Sequence, residues 1–426
     1  MTDSETRQID EVIYREDLYP RIKTDPALVQ SYATCLEQLP PIEVNQHNIL
    51  IDGWHRWTAH RSAEKATIEV VVTETKSERE IRLLAIKRNN NHGWQLTDDS
   101  KRREAIWLYA AGTGSTKEKI SDCLSVTLRM VNNYLENIDK QLREERKQII
   151  RDMYLACHTQ DEIAAAVDRV QQTITDEIKT FTDFGSVSKT GKTHAFHQEP
   201  DFTPPLYNVW TFAKKTNSVK HFGNSEQRIL DNLLYLYTEP FDIVLDPFAG
   251  GGSTIEVCKK RLRRYWVSDR KPIVERETEI RKLDIAQELP PLAKRWSEVT
   301  LTFLDPPYWK QAEGEYSEDA EDLANMTLEA FTTALANVIK QISRKQSKGV
   351  IAMLMQPTQW RAPNREYTDH VFDIVQAVGN KRLILENRVS VPYSTEQCNA
   401  QMVEWAKENH KLLGINRELV IWRLDD

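Results

Sequence analysis

Short apolar runs alternate with helical stretches through the second half of the chain. Seven of these runs are rich in β-branched residues and are strand candidates: FDIVLDPF, RRYWVSD, IRKLDI, VTLTFLD, GVIAMLM, NRVSVPY and ELVIWRL. The segments between them have helical spacing or the composition of loops. Because strands that alternate with helices are typical of parallel sheets, this half is predicted to be an α/β domain with a mostly parallel, seven-stranded sheet.

The first half shows a small α/β pattern followed by a helical one. Within residues 13–72, helical spacing over residues 28–39 precedes the strand-like PPIEV and NILID, the helical HRWTAHRSA and the strand-like TIEVVVTE. Residues 77–180 carry apolar positions three and four apart almost throughout, which indicates amphipathic helices. Residues 181–205 are polar and contain Gly, Ser and Pro, which is typical of a linker.

These patterns predict four segments. They are a small α/β domain at 8–93, a helical region at 94–180, the linker at 181–205 and the larger α/β domain at 206–426. A chain of 426 residues is also too long for one ordinary core, so more than one domain is expected.

Composition narrows the class of protein. A net charge of −7 argues against a basic surface over the whole chain but is compatible with a local basic face. The five cysteines are scattered and form no CxxC pair, so neither a zinc site nor a disulfide framework is predicted, and no metal is expected. The polar, acidic start and the lack of an apolar run near ~18 residues predict a soluble cytoplasmic protein without a membrane partner.

The run VLDPFAGGGSTIEVCKKR joins a predicted strand, a glycine turn and an amphipathic helix. Such turns let the backbone approach a ligand closely at a helix N-terminus. The dinucleotide pattern GxGxxG fails, because Gly250 and Gly252 are followed by Ile255, and no Gly-Lys-Ser/Thr follows for a phosphate loop. The turn alone therefore leaves the ligand open.

Four acids end successive predicted strands. They are Asp246, Asp269, Asp284 and Asp305. In doubly wound sheets the carboxyl ends of the strands line the ligand crevice, and an acid after the second strand can accept hydrogen bonds from ribose hydroxyls. One such acid is usually a turn or a helix cap, but four in register favour a binding site.

DPFAGGG and DPPY together resemble the S-adenosylmethionine-dependent amino-methyltransferases of DNA, which make N6-methyladenine or N4-methylcytosine. The resemblance covers residues 208–426 and implies a Rossmann-like catalytic domain. It implies that the turn from Asp246 to Gly252, with Phe248 and Gly250, holds the methionine part of the cofactor. It further implies that Asp269 binds the ribose and Asp284 the cofactor's adenine. An upstream cofactor segment is expected at Asn208 and Trp210, with residues 221–223.

The catalytic motif of that resemblance is Asp305-Pro306-Pro307-Tyr308. An exocyclic amine is a poor nucleophile because its lone pair is delocalised into the ring. Acceptors on its two N–H groups, the Asp305 carboxylate and the Pro306 carbonyl, favour a pyramidal nitrogen that attacks the sulfonium methyl directly. Tyr308 can stack on a base swung out of a duplex. Asp in place of Ser favours adenine over cytosine within the family, and cytosine C5 chemistry would need a Pro-Cys pair that the chain lacks.

ILIDGWHRWTAHR resembles the ParB and sulfiredoxin superfamily, whose members bind nucleotide phosphates at this turn. Asp52, Gly53, His55 and Arg56 match, while Trp54 replaces the sulfiredoxin cysteine, so that redox chemistry is excluded. Residues 88–93 also resemble that family. The partition proteins' arginine-rich phosphate motif is missing, so nucleotide hydrolysis is not expected. Phosphate or nucleotide binding and a purely structural role both stay open.

Two segments, STKEKISDCLSVTLRMVNNYL and HTQDEIAAAVDRVQQTITDEI, are predicted to be helix-turn-helix units. In the second, Gln171, Gln172 and Thr173 can meet base edges in a major groove, which predicts double-stranded DNA as the partner. The sequence thus predicts a DNA adenine-N6 methyltransferase. The alternatives are an N4-cytosine enzyme, a ParB-like regulator whose methyltransferase fold only senses the cofactor, and a methyltransferase of RNA or protein amides.

Overall fold

The computed structural model describes residues 4–91, 96–110, 115–183, 202–212, 226–311, 313, 319, 322–379, 381–393 and 398–425. The chain divides into two compact units, residues 1–145 and 146–426. The predicted linker and residues 221–223 lie largely or wholly outside the described residues, as do residues 92 and 93. None of the described helices has the length and apolar character needed to cross a membrane.

The first unit is built on a four-stranded sheet. Its strands are β1 (Glu5–Gln8), β2 (Ile42–Val44), β3 (Leu50–Asp52) and β4 (Thr67–Val72). Their order is β1-β4-β2-β3, with β2 and β4 parallel and the other pairs antiparallel. The last three strands confirm PPIEV, NILID and TIEVVVTE. The first was not predicted, because ETRQ is an edge strand whose side chains point mostly to solvent and show no apolar alternation.

Helices account for most of the remaining described residues of this unit. They are α1 (Pro26–Ala33), α2 (Trp54–Ser62), α3 (Glu78–Asn91), α4 (Asp98–Tyr109), α5 (Lys117–Leu124) and the start of α6 (Leu128–Leu155). Thr116 caps α5 through its side chain, and Ser125 ends it in the left-handed conformation with φ 48°. The first predicted helix-turn-helix is therefore a helix pair, and its second member is much longer than the sequence pattern suggested.

The second unit contains all seven strands predicted for it. They are β5 (Ile243–Asp246), β6 (Arg264–Asp269), β7 (Arg281–Lys282), β8 (Val299–Leu304), β9 (Val350–Met355), β10 (Leu383–Ser390) and β11 (Glu418–Leu424). Its described helices after α6 are α7 (Gln160–Val167), α8 (Gln171–Thr182), α9 (Gln227–Tyr237), α10 (Ser253–Lys260), α11 (Leu328–Lys345), α12 (His370–Val378) and α13 (Ala400–Glu408).

The strand order in this sheet is β10-β11-β9-β8-β5-β6-β7. Strands β9, β8, β5, β6 and β7 are parallel, and β11 is antiparallel to both of its neighbours. The chain winds outward from β5 in both directions, first to β6 and β7 and then back to β8 on the other side. A crevice for ligands is expected at such a reversal, between the carboxyl ends of β5 and β8.

Both faces of the sheet are covered, which explains the continuous apolar runs. Ile243 and Leu245 of β5 join the cluster formed with α11 and α12, whereas Val244 between them joins the cluster formed with α9 and α10. Side chains of a strand alternate between faces, so a strand buried on both sides has no solvent-facing positions. All six residues of β8 and all six of β9 are accordingly buried.

The second helix pair, α7 and α8, belongs to the same compact unit as this sheet. The rings of Tyr154, Phe181 and Phe241 form an aromatic cluster with centroids 5.7 to 6.1 Å apart. Arg281, on β7, donates a 2.8 Å hydrogen bond to the Ala156 carbonyl, and Arg295 donates one of 2.5 Å to the Cys157 carbonyl. The helix pair is thus part of the packed structure around the large sheet.

Gly349 offers a direct test of the packing at the start of β9. Its φ is +80°, and a Cβ atom there would lie 2.0 Å from the backbone oxygen of Thr300. Because backbone atoms cannot withdraw cheaply, Gly349→Ala is expected to lower the free energy of unfolding by about 3 kcal/mol. Urea unfolding followed by circular dichroism measures the change. Gly414→Ala is the control, since its Cβ would meet nothing closer than 3.6 Å, and equal effects of the two substitutions would refute the steric explanation.

Candidate active site

Four acids lie where parallel strands end at one edge of the large sheet. Asp246 and Asp269 are the last residues of β5 and β6. Asp305 follows β8 directly, and Asp284 lies two residues beyond β7. Strand pairing puts β5 between β6 and β8, so Asp246 and Asp305 flank the point where the winding reverses.

The glycine turn is organised by the acid of the neighbouring strand. The Gly250 N–H donates to Asp269 Oδ2 at 3.0 Å, and the Lys271 N–H donates to Asp269 Oδ1 at 2.9 Å. Gly250 and Gly252 have φ angles of +49° and +79°, a region that favours glycine, and Gly252 caps the start of α10. Each oxygen of Asp269 keeps a second lone pair for a ligand hydroxyl.

Asp246 stabilises the glycine turn through its side-chain hydrogen bonds. It is 2 % exposed and accepts hydrogen bonds from the Thr254 hydroxyl at 2.5 Å and the Phe248 N–H at 3.0 Å. Burial raises the pKa of Asp246 to about 7, against the two hydrogen bonds, and the nearby charges of Asp305 and Asp269 act in the same direction as burial. Phe248 itself is half-buried against the core.

Asp284 lies in a small charged cluster beside this turn. One of its oxygens accepts from the Ala286 N–H at 3.0 Å. Arg270, which follows β6, lies 3.6 Å from Asp284 and pairs with Asp319 at 2.6 Å. Asp319 belongs to the acidic stretch after the DPPY motif. At this residue the stretch contacts the arginine that follows β6.

The DPPY turn follows the fully buried β8. Pro306 is buried, whereas Asp305, Pro307 and Tyr308 are partly exposed. The Tyr308 hydroxyl donates to Asp305 Oδ1 at 3.3 Å. Burial, and next the charge of Asp305, raise the pKa of Tyr308 well above its usual value. Within the described part of the chain no hydrogen bond ends on the Pro306 carbonyl.

Trp309, which directly follows the DPPY motif, packs into the core. It is 5 % exposed, and its indole N–H donates to the Met326 carbonyl at 3.0 Å. The Thr358 hydroxyl donates to the Trp309 carbonyl at 2.7 Å and lies 3.1 Å from Nε2 of His370. Since that hydroxyl proton is committed to Trp309, His370 Nε2 must be the donor to Thr358. This chain of bonds fixes the end of the DPPY turn.

The buried His370 gives the unit a defined response to acid. Burial lowers the pKa of His370 from 6.5 to about 4. Between these pH values His370 binds a proton in the unfolded chain but not in the folded chain. The free energy of unfolding therefore falls as the pH falls. Asp246, with its raised pKa, has the opposite effect over pH 3.8 to 7. Comparing the unchanged protein with a His370 variant isolates the contribution of His370 to the acid response, because both proteins keep Asp246.

We therefore expect His370→Gln to flatten the loss of thermal stability between pH 6.5 and 4, whatever its effect at neutral pH. Unfolding temperatures measured by circular dichroism across this window provide the test. His47→Gln, at an exposed histidine, is the control and should keep the slope of the unchanged protein. An unchanged slope for His370→Gln would show that His370 does not carry the acid response.

Two residues that the sequence did not single out lie beside Asp305. They are Tyr393, after β10, and Arg417, directly before β11; both act electrostatically on Tyr308. An arginine that precedes an apolar strand looks like an ordinary flanking charge. The antiparallel pairing of β11 with β10 and β9 brings it to the edge of the sheet where Asp305 lies.

Asn208 and Trp210 lie elsewhere on the sheet. Residue 209 bridges to Ser390 at the end of β10, and the Trp210 N–H donates to the Ser390 carbonyl at 2.8 Å. Trp210 is buried in the core, and Asn208 is exposed. The strand order separates this bridge from β5 by β11, β9 and β8. A part for Asn208 and Trp210 in cofactor binding remains a proposal.

The predicted phosphate turn of the first unit is occupied by internal contacts. Gly53, with φ +100°, caps α2, and the buried His55 accepts the Asp25 N–H at Nε2. Burial, followed by the charge of Arg21, lowers the pKa of His55 to about 4, so His55 is neutral at pH 7. Arg56 pairs with Asp52 at 3.1 Å, while its buried Nε has no partner among the described residues. Ligand binding at this turn stays a prediction.

Residues 72–272 match the family model of the N6/N4 type described as DNA methylase. The match includes the glycine turn and Asp269 and ends before Asp284 and the DPPY motif. No relative was found among curated proteins.

Several solved structures are similar to parts of the chain. The C-terminally truncated chromosome-partitioning protein ParB from Caulobacter crescentus, complexed to the centromeric parS site, is 15% identical with a TM-score of 0.25, covering 41% of this chain and 96% of that chain. The pNOB8-like ParB N-domain is 13% identical with a TM-score of 0.24, covering 30% of this chain and 63% of that chain. The mitomycin 7-O-methyltransferase MmcR is 11% identical with a TM-score of 0.25, covering 70% of this chain and 100% of that chain.

Proposed function

Because the chain contains a DNA methylase domain, we propose that it transfers a methyl group from S-adenosylmethionine to the N6 amine of adenine in double-stranded DNA. The observation that carries the proposal is the position of two motifs. The glycine turn after β5 and the DPPY turn after β8 face each other across the point where the sheet reverses. A bound methyl donor and a target base would meet there.

The residues at the edge fit S-adenosylmethionine. The cofactor contains a ribose with two hydroxyls, and the molecule as a whole carries two positive charges. The edge of the sheet offers carboxylates at the ends of β5, β6 and β8 and after β7. Asp269, already fixed by two backbone N–H groups, would hold the ribose, and Asp284 the adenine. The turn from Asp246 to Gly252 would hold the methionine part. When bound, the cofactor supplies an electrophilic methyl group.

The DPPY turn would activate and place the amine. The Asp305 carboxylate would accept one of its N–H groups and the Pro306 carbonyl the other, which localises the lone pair on nitrogen. The Pro306 carbonyl is available because Pro307 has no N–H and the strand has ended. Tyr308 would lie against the base, which has to leave the duplex before its amine can be reached. Placement of the two reactants then supplies the main rate enhancement.

Adenine is favoured over cytosine because the motif begins with Asp305 rather than serine, a preference that the family resemblance implies. An N4-cytosine enzyme would use the same two acceptors. The helix pairs α5–α6 and α7–α8 would contact the duplex, with the exposed Gln171 and Gln172 and the partly exposed Thr173 at the start of α8 nearest the bases.

Nucleoside mass spectrometry of DNA from cells that express the protein tests this function. We expect N6-methyladenine above the level in cells that express the Asp305→Ala variant. N4-methylcytosine in its place would keep the reaction and change the base, and no modified nucleoside would favour the ParB-like regulator that only senses the cofactor. Purified protein offered duplex, single-stranded DNA and RNA of one sequence then identifies the acceptor.

A further inference from the structure

Arg417 and Tyr393 lie next to each other at the edge that carries Asp305. Beyond the paired ends of β10 and β11, the Val391 N–H donates to the Arg417 carbonyl at 2.8 Å and the Tyr393 N–H donates to the Ile415 carbonyl at 2.9 Å. The first residue of β11, Glu418, pairs with Met355, the last residue of β9. This pairing places Arg417 at the carboxyl edge of the parallel strands.

The Arg417 side chain is buried and held from several sides. It is 5 % exposed, and its Nε donates to the Val391 carbonyl at 3.2 Å. Its guanidinium carbon lies 4.1 Å from the centroid of the Tyr393 ring, close enough for a cation–π contact. It also interacts electrostatically with the hydroxyls of Tyr308 and Tyr393. A buried charge held in this way is costly to remove from water, so its position calls for a reason beyond packing.

The direction of the Tyr308 hydrogen bond connects Arg417 to Asp305. The Tyr308 hydroxyl has one proton, which it donates to Asp305 Oδ1 at 3.3 Å. Arginine can only donate, so Arg417 acts on the lone pairs of the Tyr308 oxygen and not on its proton. The guanidinium therefore polarises the hydroxyl that donates to the carboxylate.

We propose that Arg417 is a positioning residue for methyl transfer, which acts through Tyr308 to orient Asp305 and to keep its carboxylate ionised as an acceptor for the target amine. The proposal rests on the function proposed above. It assigns the Tyr308 hydroxyl a role separate from that of its ring, and it makes Tyr393 the second support of the guanidinium.

The charges around Asp305 explain why such a residue is needed. The groups that interact with it include Asp246 at the end of β5 together with Tyr308, Tyr393 and Arg417. Asp246 is the acid among them, and its negative charge, when present, opposes ionisation of Asp305. Although burial disfavours the charged guanidinium, the two tyrosines and Asp305 raise the pKa of Arg417 above its usual value. Arg417 thus stays positive and offsets Asp246.

The test is the pH dependence of methyl transfer by the full chain with S-adenosylmethionine and duplex DNA. Arg417→Met is expected to lower kcat about tenfold at neutral pH and to move the acid limb of the kcat profile upward by about one pH unit, while KM for S-adenosylmethionine stays within about twofold. Arg417→Lys should restore part of the loss. Tyr308→Phe keeps the ring and should shift the acid limb in the same direction, and the double variant should add little to either single change. Arg423→Gln, at an exposed arginine of β11, is the control and should keep the profile of the unchanged protein.

Each outcome decides the matter. Thermal unfolding shows whether Arg417→Met is folded, and if it is not, Tyr308→Phe carries the test alone. An acid limb that stays in place in the folded variants would overturn the proposal and leave the methyltransferase function intact. A purely structural Arg417 would lower the unfolding temperature and the amount of active enzyme without moving the pH profile. If the unchanged protein methylates no DNA at any pH, the proposed function fails and this proposal fails with it.

Discussion

Asp305→Ala is expected to reduce methyl transfer to DNA by at least about 100-fold while the dissociation constant for S-adenosylmethionine changes by less than about twofold. The carboxylate of Asp305 would accept a hydrogen bond from the amine only as the nitrogen becomes pyramidal, so its loss raises the barrier rather than weakening cofactor binding. The acids proposed to hold the cofactor, on β5, β6 and after β7, are untouched by the substitution. Transfer of tritium from labelled cofactor measures the rate, and titration calorimetry measures the affinity.

Two further variants sharpen the result. Asp305→Asn keeps the shape of the side chain but replaces one acceptor oxygen with a donor, so it should be nearly as inactive as alanine. Asp373→Ala removes an exposed acid of α12 and should keep full activity. Wild-type rates for Asp305→Ala would refute the mechanism, and a parallel loss of cofactor binding would assign Asp305 to the cofactor site.

The sequence predicted the large sheet well because its signals are local. Strands buried on both faces are mostly apolar, and the only polar residues in β8 and β9 are Thr300 and Thr302, so both strands could be predicted from the chain alone. The acids at strand ends follow from the same pattern, since parallel strands bring their carboxyl ends to one edge. The polar edge strand β1 lacks any such pattern and was missed.

What the sequence could not provide were contacts between distant segments. Arg417 reaches Tyr308 only through the pairing of β10, β11 and β9, and no spacing along the chain signals it. The packing of Tyr154 and Phe181 on Phe241 likewise joins the second helix pair to the large sheet, although the sequence grouped that pair with the preceding helices. Burial among long-range neighbours likewise makes Trp309 part of the core.

Asp269→Ala is expected to weaken binding of S-adenosylmethionine by about 100-fold. Two effects combine, because the substitution removes the acceptor proposed for the ribose hydroxyls and also the two carboxylate oxygens that hold the Gly250 and Lys271 N–H groups. Hydrogen bonds to a charged group are worth about 1.5 to 3 kcal/mol each, which accounts for a change of this size. Titration calorimetry measures the loss, and thermal unfolding confirms that the variant is folded.

A deoxy analogue of the cofactor separates the two effects. If Asp269 accepts a ribose hydroxyl, the unchanged protein should bind S-adenosylmethionine about tenfold more tightly than its 3′-deoxy analogue, and Asp269→Ala should bind the two equally. A variant that loses affinity for both but keeps the tenfold preference would show that Asp269 only supports the glycine turn, and that another residue holds the ribose. Asp373→Ala should behave as the unchanged protein towards both ligands, because its carboxylate lies on the exposed face of α12.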